Sequence, residues 1–222
     1  MKKLKADKVQ LSHVLYHVKD LHHSVKKLQD AGFIVEYGTD KAKAYNAFIW
    51  FEQGVFIEIY HNSGLPFYVK LMMKVFGYQS ILNRMKKWQN VGEGWCEWSL
   101  ESVSDHLNSE KMLFVKEKID FKFHKAKRKD VYQKKLKWEL LMPHDIDFPF
   151  LMSAYVPNPR PKNIDHPNGI KGVKNIMVGK ENVDLHLLNL LLTDQSGLKF
   201  TLGKGLQSVE FIDSDLKIED IL

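Results

Sequence analysis

The sequence predicts an α+β protein built from repeated βαβββ units with a helical insertion. Residues 11–18 alternate with the two-residue period of a strand, and the segment that follows has the 3.6-residue period of a helix. Three more alternating segments come before residue 61. The same order of elements starts again at Gly94, and this repetition is the main support for the prediction.

The first unit is assigned to residues 1–64. Its first strand places Val14 and Tyr16 on one face and His13 on the other, because side chains alternate across a strand. The helix ends at Gly32, a residue suited to a left-handed helix stop. Turns rich in glycine separate the remaining strands. These strands are predicted at residues 33–37, 46–51 and 55–60.

Residues 65–92 are predicted to form a helical insertion. Apolar side chains alternate there with lysines and one arginine at helical spacing, and Gly77 marks a break between two short helices. A basic amphipathic helix of this kind can lie on a membrane surface. Packing against the rest of the same protein is the commoner arrangement, and we expect it here.

The second unit is assigned to residues 93–156. A strand at 95–102 and a helix at 105–119 open it, and three strands follow. These strands are predicted at residues 121–124, 135–141 and 150–155. The proline-rich residues 157–171 are predicted to be a semi-rigid linker, since prolines restrict the chain to extended conformations.

A third and shorter βαββ unit is assigned to residues 172–222. Its strand at 173–178 is followed by a helix at 183–192 and two further strands at 198–202 and 208–212. Because the helix is apolar on nearly all sides, we expect it to be buried against the other units or in a homodimer interface.

Composition predicts a globular protein with a real core, since 44% of the 222 residues are hydrophobic. The one cysteine, Cys96, excludes an intrachain disulfide. No apolar run is long enough to span a bilayer and residues 1–7 lack the apolar stretch of a signal peptide, so we expect a cytoplasmic protein with no membrane partner. The net charge of +6 and the lysines between residues 122 and 137 permit a nucleic-acid partner, but that partner is not expected because the lysines surround a hairpin tip.

Several short segments occur in an order that is informative as a set. They are Ser12-His13-Val14-Leu15, Ala31-Gly32-Phe33, Asn46-Ala47-Phe48-Ile49, Phe56-Ile57-Glu58-Ile59, Gly94-Trp95, Leu136-Lys137-Trp138-Glu139-Leu140, Pro149-Phe150-Leu151-Met152 and His166-Pro167-Asn168-Gly169. Together they resemble the vicinal-oxygen-chelate superfamily, and within it the glyoxalase-like domain proteins. The resemblance implies mixed sheets that curve round a cleft, with metal ligands on the first and last strand of each unit. The His166 segment is itself typical of a turn.

By this resemblance, His13, Glu58 and Glu97 are the candidate metal ligands. Aligning residues 15–18 with residues 99–102 places Glu97 at the position equivalent to His13, and Ser153 then matches Glu58. One imidazole and two carboxylates would suit Zn, Ni, Mn or Fe(II). Such an ion would act as a Lewis acid while Glu58 or His17 moved a proton.

The candidate metal site departs from the superfamily pattern in the second unit. Metal-binding members generally have histidine where this chain has Glu97, and a carboxylate where it has Ser153. If the first and third units paired instead, Lys174 and Glu210 would face the cleft, and a lysine repels a cation. Metal binding is therefore not required by the sequence.

Two functions remain open, and both use a small-molecule ligand in the cleft. The first is a divalent-metal-assisted isomerase or lyase. The second is a metal-free binding protein of the antibiotic-sequestering type, which the many aromatic residues on the cleft strands favour. The residues predicted to contact the ligand are Asn46, Tyr60, Trp95, Ser153 and Tyr155.

Overall fold

The computed structural model describes residues 8–62 and 66–222. The prediction about a signal sequence at residues 1–7 and the predicted boundary between residues 64 and 65 lie outside the described residues. Within them, eight strands form one mixed sheet and three strands form a second sheet. No helix of the described part is long and apolar enough to cross a bilayer.

The first unit has the predicted order of strand, helix and three strands. Asp20 caps the helix, since its side chain accepts a hydrogen bond of 3.0 Å from the His23 backbone N–H. Gly32 follows the helix with φ of +82°, as the left-handed stop requires. Strand β2 is shorter than predicted. The elements are β1 (Val9–His17), α1 (Leu21–Asp30), β2 (Glu36–Tyr37), β3 (Asn46–Ile49) and β4 (Phe56–Tyr60).

The insertion forms two helices, α2 (Phe67–Val75) and α3 (Gln79–Asn90), and Gly77 separates them with φ of +74°. Helix α3 packs on the protein as expected and buries Arg84 and Trp88. Helix α2 packs more loosely, because its inner residues Val69 and Met73 are only partly buried.

The second unit repeats the order of the first. Its sheet order, β5-β8-β7-β6, mirrors β1-β4-β3-β2. Strand β6 forms one edge of the sheet. Lysines lie along β6 and on the neighbouring β7, and exposed lysines at a sheet edge prevent edge-to-edge pairing with another chain. The elements are β5 (Gly94–Ser102), α4 (Asn108–Lys116), β6 (Phe121–Lys129), β7 (Lys135–Pro143) and β8 (Phe150–Ser153).

The two units join through β1 and β5, which pair antiparallel with Leu15 opposite Glu97. The first unit therefore pairs with the second and not with the third. The continuous sheet curls into a half-barrel, which confirms the predicted α+β fold with sheets curving round a cleft. One face carries the main core, to which α1, α4 and the third unit contribute, and the other face carries the cleft.

The third unit is a separate three-stranded sheet with the order β10-β9-β11. Its helix α5 (Leu185–Leu191) is less buried than predicted. Leu187, Leu188 and Leu191 enter the main core, whereas Leu185 and Leu190 are exposed, so only one stripe of the helix is covered. The other elements are β9 (Val173–Lys180), β10 (Leu198–Thr201), β11 (Lys204–Phe211) and α6 (Ile218–Ile221).

The linker at residues 157–171 crosses back over the first unit. The His166 ring bonds the Ile34 backbone N–H and the Trp50 carbonyl, both at 3.0 Å, so His166 holds the linker to the first unit. Arg160 donates to the Phe51 carbonyl at 2.8 Å. The His166 segment is thus structural.

Candidate ligand-binding cleft

The concave face of the half-barrel contains a cleft of about 290 Å³. This volume is close to the lower end of the ~300–1,000 Å³ typical of small-molecule sites. Strands from both units form its floor, and helix α3 closes one end. The residues that line it are His13, Leu15, Tyr45, Asn46, Phe48, Glu58, Tyr60, Ile81, Arg84, Met85, Trp88, Arg128, Trp138, Leu140, Met142, Phe150, Met152 and Tyr155.

His13 lies at the centre of the cleft floor and is 4% exposed. Its Nδ1 atom is 2.7 Å from the Ser99 hydroxyl and 2.9 Å from the Ser12 hydroxyl, and its ring stacks on Phe56 with centroids 4.6 Å apart. Burial, with a smaller contribution from the positive charge of Arg160, lowers the pKa of His13 to about 3. The imidazole is therefore neutral near pH 7, and its Nε2 atom is directed to Glu58.

Glu58 is the partner of His13 across β1 and β4. Its Oε2 atom is 3.5 Å from His13 Nε2, and its Oε1 atom accepts a 2.8 Å hydrogen bond from the side-chain amide of Asn46. Burial raises the pKa of Glu58, while the Asn46 hydrogen bond and the charge of Arg128 oppose that rise. A carboxyl group with a raised pKa in a cleft is typical of a functional site.

The walls of the cleft are mainly aromatic. The Trp138 and Tyr155 rings lie 4.9 Å apart at one side, and Trp88 and Phe150 form another part of the wall with ring centroids 6.3 Å apart. Arg128 lies over the Phe48 ring at 5.0 Å. The arrangement offers a flat apolar surface with a polar centre formed by His13, Glu58 and Asn46, and with the Arg128 guanidinium at the wall.

Glu97 does not join His13 and Glu58. Its carboxylate is 2.6 Å from Arg84 Nη1 and 3.0 Å from Trp88 Nε1, and both Glu97 and Arg84 are almost fully buried. The second guanidinium nitrogen of Arg84 donates to the carbonyls of Asp145 and Phe148, each at 2.9 Å. Glu97 is therefore used to fix α3 on the sheet.

Ser153 and Trp95 also lie away from the cleft. On β8, Phe150 and Met152 line the cleft, whereas the Ser153 hydroxyl accepts a 2.9 Å hydrogen bond from the Glu139 backbone N–H. Under the predicted alignment of Leu15 with Ser99, β4 places Glu58 beside Leu15 and β8 places Phe150 beside Ser99, so Phe150 and not Ser153 is the equivalent of Glu58. The displacement of three residues is odd, and Ser153 therefore lies on the opposite face of the strand. Trp95 packs edge-on against Tyr16 in the main core.

The other predicted residues are divided between the cleft and its surroundings. Asn46, Tyr60 and Tyr155 line the cleft, as expected for ligand contacts. His17 does not line it, since its Nδ1 atom donates to the Gly92 carbonyl. Cys96 belongs to a small buried cluster with Leu15 and Tyr60, and burial raises the pKa of its thiol well above the usual value.

The fit of a divalent ion to these residues is poor. Catalytic metal sites commonly have three protein ligands. His13 and Glu58 provide two, Glu97 is bound to Arg84, and Asn46 uses its amide nitrogen to bond Glu58. Within residues 8–62 and 66–222, no group of three His, Cys, Asp or Glu side chains is placed to hold an ion.

Sequence reasoning missed Arg84, Arg128 and the two serines beside His13. Arg84 belongs to an amphipathic helix, where an arginine is normally on the solvated face. The sequence did contain one indication that Arg84 pairs with a residue outside its helix, because residues 66–90 contain no acidic residue. The serines gave no signal, since their contact with His13 depends on the pairing of β1 with β5.

The sequence matches the family profile of the glyoxalase-like domain over residues 11–190. This match covers most of the chain, so the protein belongs to the glyoxalase-like domain family, and the predicted resemblance is confirmed. No curated protein matches the chain in sequence.

The solved structures that are similar to this chain include the following two. A hypothetical protein from Staphylococcus aureus is 14% identical with a TM-score of 0.61, and the match covers 90% of each chain. A methylmalonyl-CoA epimerase in complex with methylmalonyl-CoA and NH4+ is 9% identical with a TM-score of 0.41, over 66% of this chain and 95% of that one. At these identities the first similarity shows the fold alone, and the second carries no argument about function.

Proposed function

We propose that this protein binds a small, largely apolar molecule in the cleft and that binding requires no metal. One observation carries the proposal: the pair of His13 and Glu58, joined by Asn46, is the polar centre of a cleft that is otherwise mainly aromatic and aliphatic. A ligand with a flat apolar body and one hydrogen-bonding group would use both parts of the cleft.

The electrostatic state of the polar centre supports this proposal. Neutral His13 costs little to desolvate further, and burial raises the pKa of Glu58 above that of an exposed carboxylate. A ligand group that donates to ionised Glu58 would form a charge-assisted hydrogen bond, worth ~1.5–3 kcal/mol.

The divalent-metal-assisted isomerase or lyase is less well supported. That function would need Glu97 to turn from Arg84 to the ion, which would leave the Arg84 charge buried and unpaired. Zn, Ni, Mn or Fe(II) therefore remain predictions drawn from the family.

A second candidate function is metal-independent proton transfer, as in an isomerase. The raised pKa of Glu58 favours it, because a general base works best when its pKa approaches the working pH. Glu58 would remove a proton from a bound ligand, and Asn46 would hold the carboxyl group in place. Incorporation of solvent deuterium into the bound ligand would distinguish transfer from binding alone.

The test is a thermal-shift screen in the presence of chelator, using flat apolar compounds that carry one hydroxyl, amine or amide group. We expect a subset to raise the melting temperature of the wild type. Glu58→Gln should weaken these compounds about tenfold or more, as loss of a hydrogen bond to a charged group predicts. Glu101→Gln is the matched control, because Glu101 also has a pKa raised by burial but lines a neighbouring cavity.

Elemental analysis of untagged protein completes the test. Substoichiometric metal, with no shift on adding Zn, Ni, Mn or Fe(II), is the expected result. A metal present at one per chain and lost in His13→Ala/Glu58→Ala would overturn the metal-free proposal. Absence of any stabilising compound across a broad library would count against binding itself.

A further inference from the structure

Helix α2 exposes an unusual amount of apolar surface. Phe67, Leu71 and Val75 form one stripe along the helix and Tyr68, Met72 and Phe76 form the adjacent one, since residues four apart lie above one another. These six side chains are between 53% and 81% exposed. Contiguous exposed apolar surface on this scale marks an interaction site.

The other sides of α2 explain how it is held in this orientation. Val69 and Met73, on the inner side, are partly buried. At the end of the helix, Lys122 of β6 donates to the Phe76 carbonyl at 3.1 Å, and its ammonium lies 4.4 Å from the Tyr78 ring centroid. The contact from β6 fixes the end of α2 and leaves its two apolar stripes facing outward.

Positive charge adjoins the apolar stripes. A groove of about 430 Å³ between α2 and α3 is lined by Lys70, Lys74 and Lys86. Residues 66–90 contain no acidic residue. Lys87 is paired with Asp147 and Arg84 with Glu97, whereas no ion pair involves the three groove lysines within the described residues.

We propose that α2 and the lysine-lined groove form a docking surface for an anionic phospholipid bilayer. Aromatic and aliphatic side chains would enter the boundary between headgroups and acyl chains, and the lysines would lie at the level of the lipid phosphates. The prediction of no membrane partner was based on the absence of a spanning segment, and a surface contact needs none.

A second copy of the chain fits the same surface less well. Two copies related by a two-fold axis would bring Lys70 and Lys74 of one α2 close to those of the other. No carboxylate from residues 66–90 is available to neutralise them. Lipid phosphates supply that negative charge.

The experiment is co-sedimentation of the full chain with phosphatidylcholine vesicles, with and without about a third of phosphatidylglycerol. We expect partitioning into the anionic vesicles to exceed that into neutral vesicles at least tenfold and to fall as salt is raised. Phe67→Ser/Val75→Ser should lower partitioning into anionic vesicles at least tenfold. Lys70→Gln/Lys74→Gln/Lys86→Gln should lower it by a similar factor.

Two control variants separate this surface from the general effects of hydrophobicity and charge. Tyr132→Ser/Leu202→Ser removes two residues that are 78% and 80% exposed elsewhere. Lys127→Gln/Lys129→Gln/Lys135→Gln removes the same charge from the β6–β7 hairpin. Both controls should stay within twofold of the wild type.

Three results would overturn the proposal. The first is no sedimentation of wild type with anionic vesicles at low salt. The second is equal loss in the hairpin control, which would mean attraction by net charge alone. The third is a dimer in analytical ultracentrifugation that Phe67→Ser/Val75→Ser dissociates, without vesicle binding, which would assign the surface to a second copy. None of these measurements depends on the cleft ligand.

Discussion

The two halves of the eight-stranded sheet share one topology but differ in charge. In the first half, His13 and Glu58 face the cleft with no arginine or lysine in ion-pair contact among the described residues. In the second half, the carboxylate of Glu97 is neutralised by Arg84, and Phe150 and Met152 face the cleft from the closing strand. The fold thus supplies two similar half-sites, and among the described residues only the first presents a histidine and a carboxylate to the cleft without an arginine or lysine paired to them.

This difference explains why, among the residues that the structure describes, the two halves bring no three His, Cys, Asp or Glu side chains together. A site of three or four ligands at the junction of the units would need donors from the second half. There, the sequence provides an apolar strand end and an acid whose role is to anchor α3. The same residue type, glutamate, lines the cleft in one half and is paired with a buried arginine in the other.

The largest expected effect concerns the structural half. Arg84→Met should reduce the free energy of unfolding by about 3–5 kcal/mol, because it leaves Glu97 charged, buried and unpaired. Urea denaturation measures this change. Glu97→Gln should have an effect of similar size, and the double variant should recover part of the loss. Lys87→Met, which breaks a more exposed pair with Asp147, should cost no more than about 1 kcal/mol. An Arg84 variant no worse than that control would contradict the structural assignment.

The second prediction concerns a third metal ligand, which the first half lacks. Asn46→Asp places a second carboxylate beside Glu58, so that three donors including His13 would share one space. The variant should be stabilised by Zn or Ni, by about 2.7 kcal/mol at a metal concentration one hundred times the dissociation constant. Thermal shift with and without chelator is the measurement. If metal stabilised the wild type as strongly as the variant, the added carboxylate would not be needed for metal binding, and the prediction would be wrong.

The third prediction concerns how protonation of His13 changes the free energy of unfolding with pH. The unfolded chain protonates this histidine below its ordinary pKa of 6.5, whereas burial keeps its folded pKa at about 3. Between these values the unfolded state binds more protons, so stability falls as pH falls. At pH 5 the loss is about 2 kcal/mol relative to pH 7 or above.

The difference between wild type and His13→Gln isolates this contribution. Unfolding free energies measured from pH 7 to pH 5 should fall less steeply in the variant. His124→Gln, at an exposed histidine of β6, should follow the wild type. Parallel curves for wild type and His13→Gln would mean that the imidazole is not held neutral.

The smallest effect concerns Glu58. Burial raises its pKa, so at pH 8 the ionised group costs free energy in the folded protein that it does not cost in the unfolded chain. Glu58→Gln should therefore raise the melting temperature at pH 8, by roughly 2–4 °C if about 1 kcal/mol is recovered. Glu97→Gln should instead lower the melting temperature, because it leaves Arg84 without its ion-pair partner. Destabilisation of both variants would mean that Glu58 also has a structural partner.

The sequence by itself determined the order of elements and part of the site. Strand alternation and helical spacing placed β1, α1 and the repeated unit, and parity on β1 and β4 brought His13 and Glu58 to one face, because a side-chain period of two is local information. Asn46, Tyr60 and Tyr155 also lie in the cleft, since they are on or next to strands that were located correctly, and their contact with a ligand stays a prediction.

Only the tertiary structure decided which of the remaining residues meet. Ser99 reaches His13 across 86 residues of sequence, and Arg84 reaches Glu97 because α3 packs back on the strand that follows it. A shift of one residue in β8 separates Met152, in the cleft, from Ser153, outside it. Register and long-range pairing depend on the packing of the whole sheet, and local patterns contain no information about them.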